Sequence, residues 1–204
     1  MENKAEGLSK ERTRENYAPL IGISFFAISF IAAIIPFFPA TPFQVKKLST
    51  QLPFQGTTTR KMESIVNLIE KSGGSKNRKE FMDIGCGDGR VLLHLARNQT
   101  IRFQKYRGVE LNATLCILSK LRSFHLSSVS IEKENFFELN KRQLKHVDTI
   151  FVFGIPALME KFRDKFEADL LPGSLVLTNK FGLPGREPVL REGEIALYII
   201  HDRS

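Results

Sequence analysis

The chain has only two cysteines and four histidines in 204 residues, and neither set is spaced for metal or redox chemistry. Cys86 and Cys116 lack the partners that a zinc or dithiol pattern requires, and both read as small buried fillers. His94, His125, His146 and His201 are scattered, so no metal site is predicted and no histidine stands out as a general base. Repeats, low-complexity tracts and blocks of five like charges are missing as well. The net charge of +8 and pI near 9.6 are therefore spread along the chain. A basic protein of a basic compartment explains them, and an anionic partner, nucleic acid or lipid, stays open. With 42% hydrophobic content, the chain can build one good-sized core and little more.

Charge is also lacking from Tyr17 to Val45, where Leu20 to Ile35 is almost wholly Ile, Phe, Ala and Ser. Pro19 to Phe38 has the length that a membrane-crossing helix needs, about 20 residues or 30 Å. It exceeds a secretory h-region and has no clear small-x-small cleavage site, and the acids before it argue against a cleaved presequence. A retained anchor over residues 19–38 is expected, following a tail at 1–18. The alternative is a buried soluble helix. Basic residues on both sides, Lys10, Arg12 and Arg14 before and Lys46 and Lys47 after, leave its orientation open. Pro36, Pro39, Pro42 and Pro53 then mark a semi-rigid linker, placed over 39–56.

A single domain is expected over 57–204. Met62, Ile65, Val66 and Ile69 fall on one face of a helix, ahead of the stretch Glu80 to Arg90, EFMDIGCGDGR. An apolar run ending in Asp83 and opening into Gly85, Gly87 and Gly89 predicts a strand, a tight turn and a helix start, with backbone N–H groups facing a ligand. The third glycine comes one residue too early for a dinucleotide fingerprint, and Arg90 stands where that pattern wants a small residue. The spacing resembles motif I of seven-strand S-adenosylmethionine (SAM) methyltransferases. Glu110 ends the next apolar strand, about one helix plus one strand further on, where a carboxylate can accept both ribose hydroxyls. Beyond it helices (90–97, 114–124, 157–170) alternate with strands (106–110, 129–132, 149–153, 174–178, 195–201), the mark of a mostly parallel α/β sheet. Asn135 and Phe136 follow the third strand, where an amide can bond an adenine amino group and an apolar ring can cover the base. A polar loop with core phenylalanines fits as well. Gly182 to Gly193 reads as a mobile segment near the acceptor, or a plain surface loop. Phe153-Gly154-Ile155-Pro156 replaces the D/N-P-P-Y tetrad of nucleobase-amino methyltransferases, which counts against a nucleic-acid amine as acceptor.

The ordered set LPFQGTTTRKMESIV, DIGCGDGRV, GVELN, NFF and FVFGIPALM resembles the small mitochondrial lysine N-methyltransferases that modify the adenine nucleotide translocase and the ATP synthase c subunit. The resemblance implies a Rossmann-like SAM-dependent enzyme that methylates lysine in a membrane protein and is anchored by one pass in the mitochondrial inner membrane. It implies cofactor contacts from Asp83, Gly85, Cys86, Gly87, Asp88 and Gly89, from Glu110, Leu111 and Asn112, and from Asn135 and Phe136. Phe153, Gly154 and Pro156 would position the acceptor. Two departures stand out: Asn135-Phe136-Phe137 replaces the usual Asp-Leu-Trp, and only six strands are visible, which leaves the antiparallel seventh strand unaccounted for. Other readings stay open: a nucleic-acid or small-molecule methyltransferase, and a catalytically inactive SAM-binding membrane protein.

Overall fold

The computed structural model describes residues 56–73 and 78–201, all within a unit running from Pro53 to Ser204. The expected tail, anchor and most of the linker lie outside the described residues; among those described, no helix is long and apolar enough to cross a membrane.

The elements are α1 (Thr59–Lys71), β1 (Arg78–Ile84), α2 (Arg90–Arg97), β2 (Phe103–Val109), α3 (Ala113–Ser123), β3 (Val129–Glu132), a 3-10 turn (Phe136–Glu138), α4 (Lys141–Leu144), β4 (Val147–Val152), α5 (Pro156–Asp169), β5 (Leu175–Asn179), β6 (Leu190–Glu192) and β7 (Ile195–Ile199). They build one seven-stranded sheet in the order β3-β2-β1-β4-β5-β7-β6. Strands β1 to β5 pair in parallel, whereas β7 runs antiparallel to both β5 and β6.

The seventh strand is therefore present, which corrects the sequence-based count. The strand expected as sixth is β7, and the additional one, β6, hides in the segment expected to be a mobile loop. Three residues with two charges carry no period-2 signal, and β6 exists because Gly193, at φ 59°, turns the chain tightly so that Glu192 pairs with Ile195. The rest of that segment is pinned too. The amide of Leu183 donates to the Tyr198 hydroxyl at 3.2 Å, Val189 N donates to Leu197 O at 2.8 Å, and Arg163 donates to Pro184 O at 3.0 Å.

Because successive strand residues point to opposite faces, each sheet face has its own core. Phe81, Phe151 and Leu177 pack with Ile65, Ile69 and Leu92 on the side of α1 and α2. Met82, Ile150 and Val176 pack with Phe162 and Phe166 of α5 on the other. Fully buried side chains of this size contribute about 1.5–3 kcal/mol each. The apolar stripe of α5 is thus core, as its helical spacing predicts. At β1 the order reverses, with β2 on one side and β4 on the other, and a ligand crevice opens at the carboxyl ends of strands placed this way.

Candidate active site

The glycine turn lies at that switch point. Gly85, Gly87 and Gly89 have φ of 71°, 56° and 75°, a region that side-chain-bearing residues rarely adopt. Gly89 also starts α2, and a Cβ there would lie 2.5 Å from the Ser119 hydroxyl. The turn is tied to β2: the amides of Gly85 and Cys86 donate to Val109 O at 2.9 and 3.2 Å. Glu110, only 8% exposed, completes the tie. Its Oε2 accepts from Gly87 N at 2.9 Å and its Oε1 from Asn112 N at 2.8 Å. One carboxylate thereby fixes both the glycine turn and the start of α3, and each oxygen retains lone-pair capacity for a further donor.

Two other acids stand nearby with different states. Asp83 is buried beneath the turn; burial first, then the charges of Glu110 and Asp88, push its pKa from an ordinary 3.8 up to about 8. Burial also raises Asp88, but hydrogen bonds and charge from Arg90 and Arg122 outweigh it and leave its pKa lowered. The Asp88 carboxylate accepts from Arg90 Nε at 2.9 Å and Nη2 at 2.7 Å and is ion-paired with Arg122, which joins α2 to α3. Cys86 is buried, and burial raises its thiol pKa, as suits a filler.

Strand register places the remaining residues in a level row at the carboxyl edge. Ile84 pairs with Val109 and with Val152, and Val152 with Thr178, so one residue further the order across the sheet is Glu110, Gly85, Phe153, Asn179. With strands about 4.8 Å apart, the row spans roughly 14 Å from Glu110 to Asn179. Phe153 is half-buried, with the Lys61 ammonium 5.7 Å from its ring centroid. Lys61 is ion-paired with Glu194 at the β6–β7 turn. Behind Phe153, a Cβ on Gly154 would come within 2.5 Å of Met159 Sδ, so the chain leaves β4 tightly against α5. Pro156 is exposed at the first position of α5, where its missing N–H is harmless.

The loop after β3 is organised by a buried cation. Arg107 donates to Glu132 at 2.7 Å, to Glu134 at 3.1 Å and to Gln143 O at 3.3 Å. Asn135 accepts from Phe137 N at 3.1 Å and donates to Glu138 at 2.9 Å, which caps the 3-10 turn. Phe136 is buried with its ring 5.8 Å from Phe162 and 5.7 Å from Phe166, while Phe137 is the less buried of the pair. Asn112 caps α3 through bonds from Thr114 N and Leu115 N, and Leu111 is exposed beside Glu110. Among the described residues no cluster of His, Cys, Asp or Glu could hold a metal.

The profile of the ANTKMT methyltransferase domain matches residues 83–190, just over half of the chain. The chain belongs to that family. It is 30% identical over 189 residues to the lysine N-methyltransferase of the ATP synthase c subunit from Caenorhabditis elegans, covering 87% of this chain and 86% of that protein. It is 29% identical over 150 residues to the mouse adenine nucleotide translocase lysine N-methyltransferase, covering 72% of this chain and 61% of the relative. A protein-lysine N-methyltransferase of Saccharolobus islandicus is 31% identical over 110 residues, covering 52% and 65%. The chain spans about three fifths of the length of the mouse relatives it matches. Its fold is that of the SAM-dependent methyltransferases: an RNA methyltransferase from Salinibacter ruber, solved with S-adenosyl-L-homocysteine, superposes with a TM-score of 0.63 at 17% identity, covering 74% of this chain and 96% of that one.

Within this ANTKMT-family domain, sequence reasoning overlooked Asn179. It is fully buried, and both its Oδ1 and Nδ2 lack a hydrogen-bond partner. In sequence it is the polar end of a plain strand, LVLTN, and only the register shows that it stands beside Phe153. The Lys61–Glu194 pair was equally invisible, because its partners come from opposite ends of the domain.

Proposed function

We propose that this chain is a SAM-dependent protein-lysine N-methyltransferase acting on a membrane protein of the mitochondrial inner membrane, such as the ATP synthase c subunit or the adenine nucleotide translocase. The row Glu110, Gly85, Phe153, Asn179 carries this reading: a carboxylate and backbone amides suited to a nucleoside at one end, and an uncommitted amide beside an aromatic wall at the other. The names of the relatives support lysine as the acceptor. The residues present fit SAM: Glu110 has capacity for two ribose hydroxyls, the glycine turn leaves room for close approach, and Asp83 can ionise beside a cation. SAM supplies an electrophilic methyl group on a sulfonium.

Everything else is positioning. A lysine amine has a pKa near 10.4 in water, and a partly desolvated site beside a sulfonium favours its neutral form. Asn179 Oδ1 would accept one N–H and aim the nitrogen lone pair along the row, while Phe153 excludes water. No general base is needed once the amine has lost its proton to solvent on entry. Asn135 and the exposed Leu111 flank the end where adenine would lie, with Phe136 supporting that loop from the core.

Asp83 makes SAM binding pH-dependent. A bound cation lowers the Asp83 pKa, so below pH 8 binding should release a proton, and affinity should rise with pH up to about 8 and then level off. The opposite sign holds for folding. Between 3.8 and about 8 the native state holds a proton that the unfolded state has lost, so the domain loses stability as pH rises through that window. Calorimetry in buffers of different ionisation enthalpy should detect the released proton, and Asp83→Asn should abolish it. Proton release unchanged in that variant would assign the linkage to another group.

The apolar segment 19–38 would hold the domain near its substrate and raise the local concentration of membrane-protein loops. Labelled-methyl transfer to mitochondrial membranes, followed by mass spectrometry of the modified residue, tests the reaction itself; a product other than methyl-lysine would refute it. Deleting residues 1–38 should leave SAM binding and transfer to detergent-solubilised substrate nearly intact and cut transfer to intact membranes by about a hundredfold or more, within the roughly 10²–10⁴ range of tethering effects. Equal rates on native membranes would reduce the segment to a delivery signal.

A further inference from the structure

Helix α3 is built inside out. Its buried positions are Cys116, Ser119 and Ser123, small side chains that let it sit close to the glycine turn. Its outward positions are large and apolar: Ile117 and Leu118 are exposed, Leu121 is 65% exposed and Phe124 85%. At i, i+1, i+4 and i+7 these four make one stripe along the solvent side. Concentrated apolar exposure of this kind marks a surface that something covers.

The surrounding charge indicates what covers it. From Leu111 to Ile131 there is no Asp or Glu, whereas Lys120, Arg122 and His125 all lie in that stretch. Beside the stripe a cavity of about 530 Å³ opens between α2 and α3, lined by Arg90, His94 and Arg97 from α2 and Arg122 from α3. Asp88 is the carboxylate there, paired with Arg90 and Arg122. Arg97 reaches toward the stripe, with its Nη2 3.1 Å from Nε2 of His125. The His125 ring in turn packs edge-on against Phe124 at 5.6 Å. Cationic hollow and apolar ridge are thus continuous, a combination suited to phosphate headgroups and acyl chains respectively.

We propose that α3 is a membrane-docking face. Ile117, Leu118, Leu121 and Phe124 enter the boundary between headgroups and acyl chains of an anionic bilayer, while Lys120 and Arg97 engage lipid phosphates. The inference rests on the proposed function only in expecting the protein at a membrane. Because α3 begins directly after Glu110, docking through it would bring the cofactor crevice beside the bilayer surface. The apolar segment then supplies proximity, and α3 supplies orientation.

The test uses the full-length protein carrying Ser127→Cys, an exposed position next to the stripe, labelled with bimane; Cys86 and Cys116 are buried and stay unlabelled. The protein is reconstituted in phosphatidylcholine vesicles with or without phosphatidylglycerol, plus a nitroxide lipid that quenches near the headgroups. Quenching should be severalfold stronger with phosphatidylglycerol. The double substitution Leu121→Gln/Phe124→Gln should abolish it, and Arg97→Gln/Lys120→Gln should remove its dependence on the anionic lipid. SAM affinity, and transfer to detergent-solubilised substrate, should stay within twofold in these variants, so loss of docking is distinguishable from loss of the enzyme. Should wild-type transfer to lysine fail altogether, the lipid quenching still decides the docking. Quenching that is absent, or unaffected by the double substitution, overturns the proposal. So does a probe shielded from aqueous iodide in detergent as fully as in vesicles, since the stripe would then be covered by protein.

Discussion

Replacing Glu110 with alanine should weaken SAM binding by about a hundredfold or more while leaving the domain folded. Charge-assisted hydrogen bonds are worth about 1.5–3 kcal/mol each, and the variant loses those to the ribose hydroxyls. It also frees the amides of Gly87 and Asn112, which Glu110 holds at 2.9 and 2.8 Å, so the turn itself would lose its preferred shape. A total of about 3 kcal/mol corresponds to roughly two decades in dissociation constant. Glu110→Gln keeps one acceptor oxygen and should fall between wild type and alanine. Titration calorimetry with SAM, beside a thermal melt, checks both expectations. A folded alanine variant with an unchanged dissociation constant would remove Glu110 from the site.

Asn179→Leu should separate stability from activity in opposite directions. The amide is buried with both polar atoms unpaired, and each such atom costs about 1–3 kcal/mol. An apolar side chain of similar size removes that cost, so the melting temperature should rise by about 2–4 °C per kcal/mol recovered. SAM affinity should stay within about twofold, because Asn179 stands three strands away from Glu110 in the row, roughly 14 Å. Turnover should fall by about 10²–10³, the loss typical of removing one group that orients or stabilises the reacting atoms. A variant that melts higher and still methylates at the wild-type rate would show that the amide is merely a poorly satisfied strand end.

These two residues also mark how far the sequence can be read. The place of Glu110 beside the glycine turn was legible because it depends on local order: a strand, a glycine turn, a helix and a second strand follow in fixed sequence, and the carboxylate ends the second strand. The same local logic located α2, α3, α5 and β3 to within a residue or two. Asn179 was not legible, because its meaning comes from lateral register across three strands and no period within LVLTN encodes it. Strand β6 escaped for a related reason, being defined by its partner rather than by its own pattern. Asn135 illustrates a third limit: an amide after a strand can cap a turn as readily as face a ligand, and its carbonyl oxygen accepts from Phe137 N.

The place of β7 in the sheet bears on how the gene tolerates damage. Strand β7 comes after every residue of the row in sequence, and it is an interior strand, paired on one side with β5 and on the other with β6. A stop codon or frameshift near residue 190 would spare the glycine turn, Glu110, Phe153 and Asn179. It would nevertheless strip the partner from Leu175 to Asn179 and turn an interior strand into a bare, apolar edge. Such an edge templates pairing between chains, so a nonsense allele there would behave as a misfolding allele even though it leaves every residue of the row in place.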